Sequence, residues 1–152
     1  MLDMTNNDIL RRLRYAFNYT NLDVSKVIAH VGKKVELKQV GLWIQSEGFE
    51  PLTDSVLCQF LDGLIIEKRG TQPDRAVPKP LNKLSNNEIL KKLRIALSLK
   101  DDGMLDIFKN AEFVVSKSEL GSFFRKEGQR NYTKCSEQVL RKFIHGLCQE
   151  AS

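Results

Sequence analysis

The residues of this chain best suited to chemistry with a partner are basic. Arg125, Lys126, Arg130, Lys134, Arg141 and Lys142 crowd one stretch around Tyr132. Phosphates take such charge and a ring can stack on a base, so Arg125, Lys126, Arg130, Arg141 and Lys142 are candidate nucleic-acid contacts. The other reading of the same stretch is ordinary solvated surface. A second basic band, Arg11, Arg12 and Arg14, recurs as Lys91, Lys92 and Arg94. It follows two asparagine pairs, Asn6-Asn7 and Asn86-Asn87. A helix start with basic side chains attracts phosphate, which makes the band and the asparagines further binding candidates. Both have a structural reading as well. Basic residues on a helix face pair with acidic neighbours, and Asn amides satisfy free backbone groups or tie a helix start to a nearby loop.

Catalytic groups are scarce. His30 and His145 do not occupy matching places. No glycine-rich phosphate loop, HExxH or nucleophile elbow occurs. Cys135 with His145 is conceivable as nucleophile and base, without local support. Cys58, Cys135 and Cys148 are an odd number with no CxxC spacing, too few for a disulfide framework or a zinc cluster. These residues predict a non-enzyme with no metal and no cofactor.

The elements that must carry these residues are repeated. Thr5-Asn6-Asn7-Asp8-Ile9-Leu10-Arg11-Arg12-Leu13-Arg14-Tyr15-Ala16-Phe17 aligns with Ser85-Asn86-Asn87-Glu88-Ile89-Leu90-Lys91-Lys92-Leu93-Arg94-Ile95-Ala96-Leu97 at an offset of 80. The same offset pairs Gly41 with Gly121, Trp43 with Phe123, and Glu47-Gly48 with Glu127-Gly128. A three-residue shift then aligns Val56–Leu64 with Val139–Leu147. Order of this kind marks a duplication.

Each copy reads as about four helices. Ile9, Leu10, Leu13, Ala16 and Phe17 recur at helical spacing, as do their partners. Ser85-x-x-Glu88 and Ser116-x-x-Glu119 read as capping boxes. Second helices are expected near 23–31 and 103–111, third helices near 37–46 and 117–126, and fourth helices after Thr53 and Ser136. Gly48 and Gly128 suit left-handed C-terminal caps on the third helices. Gly63 and Gly146 fall inside apolar helical runs, where close helix packing or a helix end would account for them. Trp43 and Phe123 read as core. Phe113-Val114-Val115 reads as a connection. Gly70, Pro73, Pro78 and Pro80 interrupt helix between the copies. The expected organisation is all-α: a first repeat over 1–66, a linker over 67–84 and a second repeat over 85–152.

Composition is that of a globular protein, 41% apolar and 28% charged. No apolar run reaches the ~20 residues that span a bilayer, and the start of the chain lacks a signal-peptide pattern, so no membrane partner is expected. Residues 1–80 carry 11 basic and 10 acidic groups, and residues 81–152 carry 13 and 9. The basic excess therefore lies in the second copy, where it suits an anionic partner.

The doubled Asn-Asn-x-Ile-Leu-x-x-Leu-Arg-x-Ala opening resembles the YehS-like bacterial family, a domain of unknown function. So do the segment Ser116-Lys117-Ser118-Glu119-Leu120 with Phe124-Arg125-Lys126 after it, and the Phe-x-x-Gly-Leu closings. Leu42-Trp43-Ile44-Gln45 departs from the pattern where the second copy has Ser122-Phe123-Phe124-Arg125. The resemblance implies a cytoplasmic bacterial protein and brings no activity with it. Two functional readings stay open: a non-catalytic binding module or regulator that contacts nucleic acid through the second copy, and a protein–protein adaptor or structural protein that uses a helical groove.

Overall fold

The computed structural model describes residues 4–71 and 77–151. Among them the chain forms eight helices: α1 (Asn6–Ala16), α2 (Asn21–Ala29), α3 (Leu37–Ile44), α4 (Asp54–Arg69), α5 (Asn86–Ala96), α6 (Asp101–Asn110), α7 (Lys117–Phe123) and α8 (Glu137–Ala151). No strand occurs among the described residues. The fold is all-α, with four helices in each copy.

Local chemistry sets the starts. Thr5 and Thr20 form full capping boxes with Asp8 and Asp23, each hydroxyl taking the aspartate N–H and each carboxylate taking the threonine N–H. Ser85 and Ser116 accept only the N–H of Glu88 and Glu119, so the boxes expected there are half formed. The third helices end sooner than the expected residues 46 and 126, at Ile44 and Phe123. Gly48 and Gly128 take the left-handed conformation, at φ of 63° and 89°, within the loops beyond rather than as helix caps. α4 continues to Arg69, so the first three residues of the expected linker are helical. Pro73 lies outside the described residues.

The two copies do not simply abut. α1 packs most extensively on α8, and α5 on α4. Met4 N–H donates to Glu137, and Cys148 Sγ lies 3.4 Å from the Arg12 carbonyl. Start therefore meets start, and α1 runs in the same direction as α8. The other pair repeats this, with Leu84 N–H on Asp54 and Lys92 on Asp62. Each first helix thus leans on the other copy's fourth helix. A translation would supply one such pairing; the reciprocal pair is the signature of a two-fold relation. Because α5 parallels α4, the chain between them must travel back along α4, about 24 Å at the usual helical rise.

One apolar core serves both copies, from Leu10, Leu13, Leu57 and Phe60 to Leu90, Leu93, Leu140 and Phe143. Trp43 and Phe123 belong to it. Within each copy the second and fourth helices cross at a glycine. A Cβ on Gly63 would sit 2.1 Å from the Val27 carbonyl oxygen, and one on Gly146 2.0 Å from that of Ile107. Both glycines lie mid-helix, so close packing is their role and a helix end is not. Alanine favours a helix by up to about 1 kcal/mol over glycine, yet here its methyl must push two backbones apart. Gly63→Ala or Gly146→Ala is expected to lose about 1–3 kcal/mol in denaturant melts. A stabilised variant would show that the crossing is looser than described.

Candidate functional site

The first-helix polar residues are largely spoken for by the fold. Asn7 is buried at 2% exposure. Its amide N–H groups donate to the carbonyls of Trp43 and Glu50, and its oxygen accepts Leu52 N–H. Asn87 repeats the arrangement with Phe123, Thr133 and Cys135 N–H. Each clasps the loop after the third helix. Asn6 donates to Leu52 carbonyl and Asp54, and Asn86 to Cys135 carbonyl.

The basic band divides. Arg11 pairs with Asp8, donates to the carbonyls of Ile44 and Gln45, and stacks over Phe49. Burial favours the neutral acid at Asp8, but the bonds from Thr5 and Arg11 hold its carboxyl below the ordinary value. Arg14 donates to the Tyr19 carbonyl and Arg94 to that of Leu99, each fixing the turn after its helix. Those turns carry left-handed Asn18 and Ser98 at matching positions. Arg94 also pairs with Asp101 and lies over Phe124. Lys92 reaches Asp62 at 2.6 Å across the copies, with the two side chains only 15% and 5% exposed. Cys58 Sγ lies 3.6 Å from the same carboxylate. Arg12 and Lys91 are exposed.

The second basic set falls on two elements. Arg125, Lys126 and Arg130, with Lys134, stand exposed on the loop between α7 and α8. None of the four forms an ion pair among the described residues. Arg125 borders a polar cleft of about 410 Å³ with Ser116, Glu119, Ser122, Asn131 and Thr133. Tyr132 is half-buried beside them. Arg141 and Lys142 sit on α8, half-buried, next to core residues Leu140 and Phe143.

Cys135 and His145, the pair conceivable from the sequence, are set apart by the fold. Burial pushes the Cys135 thiol up to about 12 and raises Cys58 and Cys148 as well. Cys135 precedes α8, while His145 lies eight residues into it, about 12 Å along the axis from its first residue. Among the described residues no group of His, Cys, Asp and Glu is placed to hold a metal ion, and no helix is long and apolar enough to cross a membrane.

Residues 6–70 and 86–151 each match the model of one family, described as "Protein of unknown function (DUF1456)". The chain belongs to that family. It is 39% identical over 147 residues to "Uncharacterized protein YehS" of Escherichia coli (strain K12), covering 95% of this chain and 94% of the relative. No solved structure matches. The family match falls on both copies and leaves out residues 71–85, in keeping with a duplicated all-α unit.

Sequence reasoning missed the Asp62–Lys92 pair. Asp62 interrupts the apolar run of α4, and that interruption was the available signal. Removing one partner strands a buried charge, so Asp62→Asn or Lys92→Met is expected to lose about 3–5 kcal/mol. The double variant Asp62→Leu with Lys92→Met should return close to the parent in urea melts. Additive losses in the double variant would show that the two groups are uncoupled. Asn7→Ala and Asn87→Ala, which orphan buried backbone groups, are each expected to lose about 2–4 kcal/mol, whereas exposed Lys91→Ala should change stability by less than about 0.5 kcal/mol.

Proposed function

We propose that the protein is a non-catalytic binding module of the bacterial cytoplasm that contacts nucleic acid through its second copy. The observation that carries this reading is the loop between α7 and α8. It holds Arg125, Lys126, Arg130 and Lys134 exposed and without ion pairs among the described residues, around Tyr132, with Glu127 as its one acidic side chain. Exposed, uncompensated cations gain most from a phosphate backbone, because binding releases condensed counterions. Arg141 and Lys142 extend the charge onto α8. The matching first-copy positions hold Gln45, Ser46, Cys58 and Gln59, so the surface is basic in one copy only.

A protein–adaptor reading draws on a different place. Ala16, Phe17, Leu97, Leu99 and Leu147 line a groove of about 410 Å³ where α1, α5, α6 and α8 end or meet. Salt separates the two readings, since phosphate contacts weaken steeply as salt rises and apolar contacts do not.

The test is a titration of the whole protein with short single strands and duplexes of DNA and RNA at low and moderate salt. Binding at ~50 mM salt with a steep salt slope is expected. Charge reversal at Arg125 and Arg130 should weaken binding to all sequences alike and flatten the slope by about one unit for each phosphate no longer neutralised. The matching change at Gln45 should matter less. Absence of binding at ~50 mM salt would remove the nucleic-acid reading and leave the adaptor in front.

A further inference from the structure

Two clefts stand at matching places in the copies, one of about 450 Å³ and one of about 410 Å³. Glu36, Gln39 and Glu50 line the first, and their counterparts Ser116, Glu119 and Thr133 line the second. In the first copy the polar groups satisfy one another. The Gln39 amide donates to the Glu50 carboxylate at 3.2 Å, and the Gln45 amide donates to the Gly48 carbonyl at 2.7 Å. In the second copy the same positions hold Glu119, Thr133 and Arg125, whose side chains make no such bonds among the described residues. Glu119 leaves the Ser116 N–H untaken, so its carboxylate is idle, and Arg125 lines the same cleft without pairing with it. Ser118 and Asn131 line it as well. The second loop is also longer. The clasped carbonyls of Glu50 and Thr133 carry the three-residue shift of the repeat, whereas Gly48 and Gly128 precede it. Gln129-Arg130-Asn131-Tyr132 therefore stands where the first copy has Phe49 alone. Asn131 turns this insertion through a left-handed φ of 69°, which asparagine tolerates better than most residues.

An idle guanidinium calls for an anion. A carboxylate in the same cleft calls for a neutral donor, and hydroxyl and amide groups take either role. No aromatic ring lines the cleft, so a base would find nothing to stack on there. A phosphorylated sugar meets all of these conditions, and the cleft's volume lies in the range of small-molecule sites, roughly 300–1,000 Å³. We propose that this cleft takes a ribose phosphate, with the phosphate on Arg125 and the ribose hydroxyls on the Glu119 carboxylate and the Asn131 amide. Deoxyribose lacks one of those hydroxyls, so the cleft favours RNA over DNA. That RNA is the source of the ribose rests on the proposed function; that the cleft holds a ribose phosphate does not.

The probes are ribose phosphate and deoxyribose phosphate and, separately, RNA and DNA single strands of one sequence, at ~50 mM salt. Backbone amide NMR signals of residues 118–133 report the cleft, and those of residues 36–50 its first-copy counterpart. Ribose phosphate is expected to move the former alone. Calorimetry should give ribose phosphate and RNA about tenfold tighter binding than their deoxy forms, the worth of one hydrogen bond to a charged group. Glu119→Gln keeps the Ser116 cap, which uses the backbone N–H, and should reduce that preference to less than about threefold. Arg125→Gln, which copies Gln45, should weaken binding of every probe. A preference that survives Glu119→Gln unchanged, or equal binding of RNA and DNA, overturns the ribose reading and leaves the nucleic-acid reading standing. Cleft signals unmoved by ribose phosphate and by RNA overturn the site. Ribose phosphate bound at the cleft with no oligonucleotide binding supports the site and removes the nucleic-acid reading.

Discussion

The first helix of each copy finishes its burial against the other copy. α1 carries Ile9, Leu10 and Leu13 on one stripe, and α5 carries Ile89, Leu90 and Leu93. α1 lies between α3 of its own copy and α8, and α5 lies chiefly on α4. Four short helices offer too little apolar area to stabilise a unit of this size comfortably, and the exchange joins both into one core. The same exchange dictates the length of the linker, which must return along α4. It also explains the buried Asp62–Lys92 pair. An ion pair of this kind adds little net stability but penalises any arrangement that leaves either charge alone, which suits a seam whose register must not slip.

Duplication has left the two seams unequal. Where geometry alone decides, the copies agree: glycine at both crossings, asparagine in both clasps, arginine at both turns. Where charge is free to vary they part. The α4–α5 seam holds the buried Asp62–Lys92 pair, whereas Arg12 on α1 and the loop after α7 carry exposed cations. The asparagines and arginines engaged alike in both copies therefore serve the fold.

Helix content and the duplication were legible because both rest on local signals, apolar spacing and self-similarity. Burial of Leu13, Leu93, Trp43 and Phe123 followed from the same stripes. The exchange was not legible, since periodicity names the buried face of α1 but not whose helix covers it. The Asn-Asn pairs were visible as an oddity with two readings. Their partners lie 36 to 49 residues away, so only the fold could show all of Asn7's and Asn87's amide groups occupied. For the third helices, the expected bounds of 37–46 and 117–126 ran past the points, Ile44 and Phe123, where the chain turns back to meet those clasps. Of the candidate binding residues, exposure now distinguishes Arg12, Lys91, Arg125, Lys126 and Arg130 from those held by the fold.

The dependence of each copy on the other is measured most directly by cutting the linker. Residues 1–71 and 77–152, produced separately and then mixed, should associate one to one and recover a single cooperative melt. Either piece alone should be unfolded or should self-associate, because its first and fourth helices lack their covers. A piece that is monomeric by sedimentation and melts cooperatively on its own would contradict the exchange as the basis of this fold.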